Sequence, residues 1–215
     1  MKTKLIFNPN IPNWTTYPYT FWDNWYTDEE LEKLKAYCVK EGTERAMVVS
    51  ESGKAFKSNI RPCNTKFHYY NDELSWFFEK TAELIETMND NFYQFDVWGF
   101  EGFQYTEYAE KDDRYGYHMD MITGDNVPEY LRATRKLSFI LMLSDSNEYT
   151  GGQFDFNVSE ENLIVPEQKK GRVLVFPSFM LHRVNPVTSG VRKSDRKSTR
   201  LNSSHTDISR MPSSA

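Results

Sequence analysis

One imidazole and one carboxylate stand two positions apart, at His118 and Asp120, at the end of the stretch YAEKDDRYGYHMD that begins at Tyr108. In an extended strand alternate side chains share a face, so His118 and Asp120 project together while Met119 points away. A second imidazole, His182, ends the downstream run FPSFMLH. Delivered to the same point by another strand, it would complete two histidines and one carboxylate on one side of a metal ion. That donor set leaves coordination positions open and suits ferrous iron used for oxygen chemistry. A His-x-Asp pair alone is a weak signal in a chain this rich in Asp and Glu. His68, in KFHYY, competes as a ligand, although a lone histidine beside aromatics more often packs or hydrogen-bonds within a core. Zinc-assisted hydrolysis is the poorer fit, because no separate general base accompanies these residues in a recognisable motif.

The segments that must position these groups read as strands. GRVLVFPS, opened by Gly171 and closed by Pro177, is an apolar run leading to a turn before His182. RKLSFILMLS and YTGGQFDF are strand-like too, the second bent at Gly151 and Gly152, and FDVWGFEGFQYTEYA reads as strands broken at Gly99 and Gly102. Short strands separated by turns are the pattern of an antiparallel sandwich or jelly roll. Upstream the period is helical. Thr27 and Glu30 form a capping box with a Tyr26 to Leu31 staple, which predicts a helix from Asp28 with Leu31, Leu34 and Cys38 on one stripe and Gly42 as its stop. A second helix is expected from Asn71 to about Met88, burying Leu74, Phe77, Phe78, Ile85 and Met88 against a sheet. Residues 44–65 read as a surface excursion with a hairpin tip at Ser52-Gly53. The polar insertion MITGDNVPEYLRATR follows Asp120 directly and should shape the mouth of a site, with Arg132 and Arg135 either contacting substrate or solvating a loop. The aromatic-rich start, including Trp14, Tyr17, Tyr19, Phe21, Trp22 and Trp25, is read as packing rather than a base-stacking platform.

Composition bounds the rest. A chain of 215 residues is expected to form one domain that buries its core without disulfides. With 26 basic against 31 acidic residues, broad attraction to nucleic acid is not indicated. Two cysteines, Cys38 and Cys63, are too few for a disulfide framework or a zinc site and fit a reducing, cytoplasmic setting. The opening MKTKLIFNPN is too short in its apolar run for a signal peptide, and no segment is long enough to cross a membrane.

In the order of its motifs from Tyr105 to Ser194 the chain resembles the Fe(II)- and 2-oxoglutarate-dependent dioxygenases of the prolyl 4-hydroxylase-like branch, including bacterial and phage members. The resemblance implies a mainly β fold with flanking helices around a double-stranded β-helix (jelly-roll) core. It implies one domain over residues 1–194, with helical support over about 1–94 and the core over about 95–194. His118, Asp120 and His182 would be the iron ligands. Arg192, ten residues after His182, would pair with the distal carboxylate of 2-oxoglutarate in a charge-assisted, bidentate contact. Tyr108 would hydrogen-bond that co-substrate, with Tyr115 as a second candidate. The implied reaction hydroxylates a C–H bond with release of succinate and CO2, and ascorbate is a further expected cofactor. By analogy the substrate is a prolyl or other residue in a peptide or protein, with a free amino acid or modified nucleobase as alternatives. Residues 44–65 would then be a lid that brings Arg61 to the substrate. From a different class, the chain could be a non-catalytic jelly-roll binding or virion-associated module with vestigial metal ligands.

From Asp195 onward, DRKSTRLNSSHTDISRMPSSA loses every strand signal and resembles the translation of a sequencing-library adapter. Residues 195–215 are therefore expected to be a non-native tail, with His205 outside any site. Members of the resembled family continue past the position of Arg192 with an apolar strand that closes the barrel. None follows Ser194 here, so the last core strand is expected to be missing. Its neighbours would carry unpaired backbone groups, and the chain would lose stability and activity.

Overall fold

The computed structural model describes residues 17–49, 55–56, 59–97, 99–100, 102–121, 135–159 and 162–200. The expected hairpin tip at Ser52-Gly53, the insertion with Arg132, Trp14 and His205 lie outside the described residues. In chain order the first half supplies strand β1 (Thr20–Trp22), helix α1 (Asp28–Glu41), β2 (Glu44–Arg45), β3 (Val48–Val49), β4 (Ala55–Phe56), β5 (Asn64–His68) and helix α2 (Ser75–Met88), which runs into a π-turn at Asn89–Tyr93. The second half supplies β6 (Gly99–Phe100), β7 (Phe103–Tyr108), β8 (Tyr115–His118), β9 (Arg135–Met142), β10 (Tyr149–Gly151), β11 (Phe154–Ser159), β12 (Asn162–Ile164), β13 (Val173–Pro177), β14 (His182–Val184), β15 (Val187–Gly190) and β16 (Arg192–Arg200).

Helix α1 starts where its caps require. The Glu30 amide donates to Thr27 Oγ1 at 3.2 Å and the Thr27 amide to Glu30 Oε2 at 2.7 Å, a reciprocal cap worth about 1 kcal/mol. Leu31, Leu34 and Cys38 are its buried stripe. Helix α2 begins four residues later than the sequence predicts. Asn71 instead ties its side chain and its carbonyl to the Leu74 amide, at 3.0 and 3.1 Å, and so closes a separate turn ahead of the helix.

All strand pairs among the described residues are antiparallel. The major sheet runs β1-β13-β9-β16-β7-β5-β2, with β6 also on β16, and the minor sheet runs β12-β11-β14-β8. The first half is thus more than helical support, since it contributes β1, β2 and β5 to the major sheet. The two faces of that sheet hold separate cores. Leu137, Phe139 and Leu141 of β9 and Val173 and Val175 of β13 join the helices, whereas Ile140, Met142, Leu174 and Phe176 meet Phe154, Phe156 and Val184 of the minor sheet. Burial on both faces explains why SFILML and VLVF are continuous apolar runs rather than alternating ones.

The expectation of a missing last core strand is corrected. Strand β16 fills that place between β9 and β7, with Arg192 opposite Tyr108, Asp195 between Tyr105 and Leu141, and Arg196 between Gln104 and Ile140. The ladder is made by amides and carbonyls that every residue except proline carries in full, so two waiting edges can recruit a polar segment. Alternation then dictates the faces. Arg192, Ser194 and Arg196 turn toward the minor sheet, while Asp195 is buried at 0 % exposure on the helix side.

Candidate metal centre

Strands β8 and β14 bring the two imidazoles together, His118 and His182 being direct partners in their antiparallel ladder. Asp120 lies just past the end of β8. Its amide donates to the Ser178 carbonyl at 2.9 Å, which ties it to the turn that Pro177 opens after β13. The ligating atoms of His118, Asp120 and His182 all lie within 4.8 Å of one another. His118 Nε2 is 3.6 Å from Asp120 Oδ1, and His182 Nε2 is 3.8 Å from Asp120 Oδ2.

Hydrogen bonds fix which atoms face the centre. Nδ1 of His118 lies 2.9 Å from the Gly116 carbonyl and Nδ1 of His182 lies 2.8 Å from the Met180 carbonyl. Each carbonyl can only accept, so the proton sits on Nδ1 and the Nε2 lone pair points inward. Both Nε2 atoms are buried and have no hydrogen-bond partner among the described residues. Burial, followed by the neighbouring His182, pushes His118 down to about 3, and burial also lowers His182. Both rings are therefore neutral near pH 7. Burial opposes ionisation of Asp120, but Arg196, the two imidazoles and Ser138 outweigh it and hold the carboxyl below the ordinary carboxylate range. Two neutral imidazoles and one carboxylate, with lone pairs converging and otherwise unused, are the donors a divalent transition metal takes.

Asp120 is held from several sides. Ser138 of β9 donates to Oδ2 at 2.7 Å and lies 3.0 Å from the Ser178 hydroxyl, and both serines are fully buried. Arg135, expected at a substrate or in a solvated loop, donates to the Asp120 backbone carbonyl at 3.2 Å. Arg196 donates from Nη1 to Asp120 Oδ1.

Beside the triad is a pocket lined among others by Arg61, Thr106, Tyr108, Tyr115, Arg192 and Arg196. Arg192 is 2 % exposed; its Nη1 donates to Ser194 Oγ at 3.1 Å, its guanidinium carbon lies 5.3 Å from the Tyr108 ring centre, and its buried Nε has no partner among the described residues. Burial raises the Tyr108 hydroxyl above its ordinary range, so it remains a neutral donor. Tyr115 stacks on His118, with ring centres 3.5 Å apart and planes 15° from parallel. Arg61 covers the Tyr115 ring at 4.5 Å and donates from Nη2 to Gln104 Oε1. His68 is elsewhere, packed on Phe103 and Tyr37 with ring centres 4.9 and 5.4 Å away.

Sequence reasoning missed Ser138 and Arg196. A single serine inside the apolar run LSFILML was a usable signal, because a hydroxyl at a core position of a strand must find a partner. Arg196 was hidden by the end of the strand pattern at Ser194, although it falls on the same alternation as Arg192.

Comparison with known proteins gives a consistent result. A family model described as the 2OG-Fe(II) oxygenase superfamily matches residues 103–201. A PKHD-type hydroxylase of Synechococcus sp. (strain CC9902) is 36 % identical over 84 residues, 39 % of this chain and 35 % of that protein. A PKHD-type hydroxylase of Hyphomonas neptunium is 39 % identical over 85 residues, covering 37 % and 34 %. The chain thus spans about a third of the length of the curated relatives it matches. Among solved structures, a Pseudomonas putida prolyl-4-hydroxylase superposes with a TM-score of 0.67 at 18 % identity, over 87 % of this chain and 94 % of that one. The viral collagen prolyl hydroxylase of Paramecium Bursaria Chlorella virus-1, in its 2OG complex, gives 0.63 at 19 % identity over 86 % and 97 %. A Trichoplax adhaerens prolyl hydroxylase bound to a hypoxia-inducible-factor peptide fragment gives 0.67 at 15 % identity over 85 % and 83 %. At these identities the structural likeness establishes the fold, a jelly roll.

Proposed function

We propose that the chain, whose residues 103–201 match the 2OG-Fe(II) oxygenase superfamily model and whose fold is prolyl-4-hydroxylase-like, hydroxylates a C–H bond in a prolyl or other residue of a peptide or protein. The observation that carries this reading is the convergence of His118, Asp120 and His182 with inward, unpartnered Nε2 atoms, beside a pocket that the buried Arg192 lines.

In this reading the triad holds ferrous iron. Arg192 neutralises the distal carboxylate of 2-oxoglutarate through its two-pronged guanidinium, and the neutral Tyr108 hydroxyl donates a hydrogen bond that orients it. Tyr115, stacked on His118, keeps that ring in its plane and closes one wall of the pocket. Bound iron would let dioxygen act as the oxidant, one of its oxygen atoms ending in succinate as the keto acid loses CO2 and the other in the substrate as an alcohol. The chain supplies ligand geometry, a charge partner and a pocket whose apolar walls, Ile140, Phe154 and Val184, keep water away. Ascorbate is proposed as the reductant that keeps the metal ferrous. The Trichoplax structure with a bound peptide supports a peptide substrate.

The domain is proposed to span residues 1–194, with the sequence from Asp195 foreign in origin although residues 195–200 complete strand β16 and the family match runs to residue 201. The polar sequence of β16, RKSDRKSTR, at a place between the core strands β7 and β9 supports a foreign origin. No helix among the described residues is long and apolar enough to cross a membrane. A cytoplasmic setting is proposed on the buried, free thiols of Cys38 and Cys63.

The test is anaerobic addition of saturating Fe(II) and 2-oxoglutarate, which should produce the visible charge-transfer band of a chelated keto acid. Succinate release with peptide libraries would then identify the substrate. A non-catalytic jelly-roll module would show neither, and that result would remove the oxygenase reading.

A further inference from the structure

Strand β16 presents to the pocket not only Arg192 but also, four residues on, Arg196. The Arg196 guanidinium contacts Asp120 Oδ1, the oxygen that faces His118 Nε2 at 3.6 Å. The other oxygen, Oδ2, accepts from Ser138 and faces His182. A divalent cation bound by the triad must take a carboxylate lone pair at roughly 2 Å, and of the two oxygens that face the imidazoles Oδ1 is already bound by Arg196 and Oδ2 already accepts from Ser138. A metal and the guanidinium would then share one carboxylate in a site where Asp120 is 3 % exposed and water screens little. Arginine cannot yield by losing its proton. It can yield only by swinging away, and the space beside it is lined by two further guanidinium groups, Arg61 and Arg192.

We propose that Arg196 determines whether the triad takes up a divalent metal, its guanidinium competing with the metal for the Asp120 carboxylate. The proposal rests on reading the triad as a metal site, and it says what opposes loading of that site in this chain. It would lower activity by a route different from an unclosed barrel. The strand is in place, and one of its side chains occupies the carboxylate that the metal needs. The geometry has no matching demand for arginine at this position, since Arg192 already serves the far end of the pocket and Ser138 already holds Asp120.

The experiment is calorimetric titration of the full chain with Mn(II), without 2-oxoglutarate or substrate, alongside Arg196→Gln and Arg196→Met. Both variants should bind Mn(II) about tenfold or more tightly than the unaltered chain, and Mn(II) should raise their melting temperatures more than it raises that of the unaltered chain. Adding Asp120→Ala to Arg196→Gln should abolish the gain. Equally tight binding by the unaltered chain and both variants overturns the competition while leaving the triad as a metal site. Absence of binding in all three folded proteins overturns both readings. If neither variant folds, the unaltered chain decides alone: a dissociation constant for Mn(II) tighter than about 1 μM overturns the proposal, and a weaker one agrees with it.

Discussion

Arg192→Met separates a residue that serves a ligand from one that serves the fold. The side chain is 2 % exposed, makes one hydrogen bond to a neutral hydroxyl at 3.1 Å, and leaves Nε unpartnered among the described residues. A buried, incompletely satisfied guanidinium costs about 1–3 kcal/mol. Its contact with the Tyr108 ring at 5.3 Å recovers roughly 0.5–2 kcal/mol and the Ser194 bond about 1 kcal/mol. Methionine fills a similar volume with no charge to desolvate. The ligand-free protein should therefore melt unchanged or up to several degrees higher. The co-substrate should respond in the opposite direction. Loss of a charge-assisted, two-pronged contact with a carboxylate inside a buried pocket is worth about 2–4 kcal/mol, which is roughly a 30- to 1000-fold weaker affinity. The assay is titration of the anaerobic Fe(II) charge-transfer band with 2-oxoglutarate at saturating iron, paired with thermal unfolding of the apo protein. Affinity that stays within about threefold of the unaltered chain, or a melting temperature that falls by several degrees, would refute the reasoning. Either result would make Arg192 a structural residue.

Ser138→Ala removes the 2.7 Å bond to Asp120 Oδ2 and should weaken Mn(II) binding in the Arg196→Gln background by about 10- to 100-fold. Ser138→Thr, which restores a hydroxyl, should recover most of it, and an unchanged affinity in the alanine variant would show that the backbone bonds of Asp120 to Ser178 and Arg135 suffice to hold the residue in place. A third prediction concerns the closure of the sheet at β1. Arg172 bonds both oxygens of Asp23 at 2.7 and 2.8 Å, and these bonds, against an opposing effect of burial and with help from Lys169, hold Asp23 at about 2. A folded-state value below the unfolded one means stability that is present above about 3.9 and lost as pH falls through about 2. The Asp23 side chain is 25 % exposed, so after allowance for screening Asp23→Asn should cost about 1–2 kcal/mol at pH 7. Urea midpoints of the two proteins should converge as pH falls toward 2, and a gap that persists there would assign the cost to packing instead.

The legible parts of this chain were those where local chemistry and tertiary placement agree. The Thr27-Glu30 box caps α1 because its two bonds are made within four residues. His118, Asp120 and His182 could be paired from sequence because the alternation of faces continues one step past the end of β8, where the Ser178 carbonyl holds the Asp120 amide, and the Pro177 turn leads into His182. Asn71 misled because an asparagine that bonds the amide three residues on serves a turn as readily as a helix cap. Strand β16 was illegible for a deeper reason. Its sequence carries no alternation of apolar and polar residues, and its place is fixed by the backbone edges of β7 and β9, whose demand is the same for every side chain.

That independence of the ladder from side chains has a consequence for how the site can be altered. The register that sets Arg192 opposite Tyr108 also sets Arg196 opposite Gln104, because both follow the same two-residue alternation along one strand. A slip by one residue would free Asp120 from Arg196 but would turn Arg192 out of the pocket and Asp195 into it. A slip by two would move Ser194 to the place of Arg192. No shift of the strand can therefore keep Arg192, the proposed charge partner of the co-substrate, in the pocket while clearing the triad. Only a change of side chain at position 196 does both, and this makes substitutions at that one position the sharpest probe of what the triad binds.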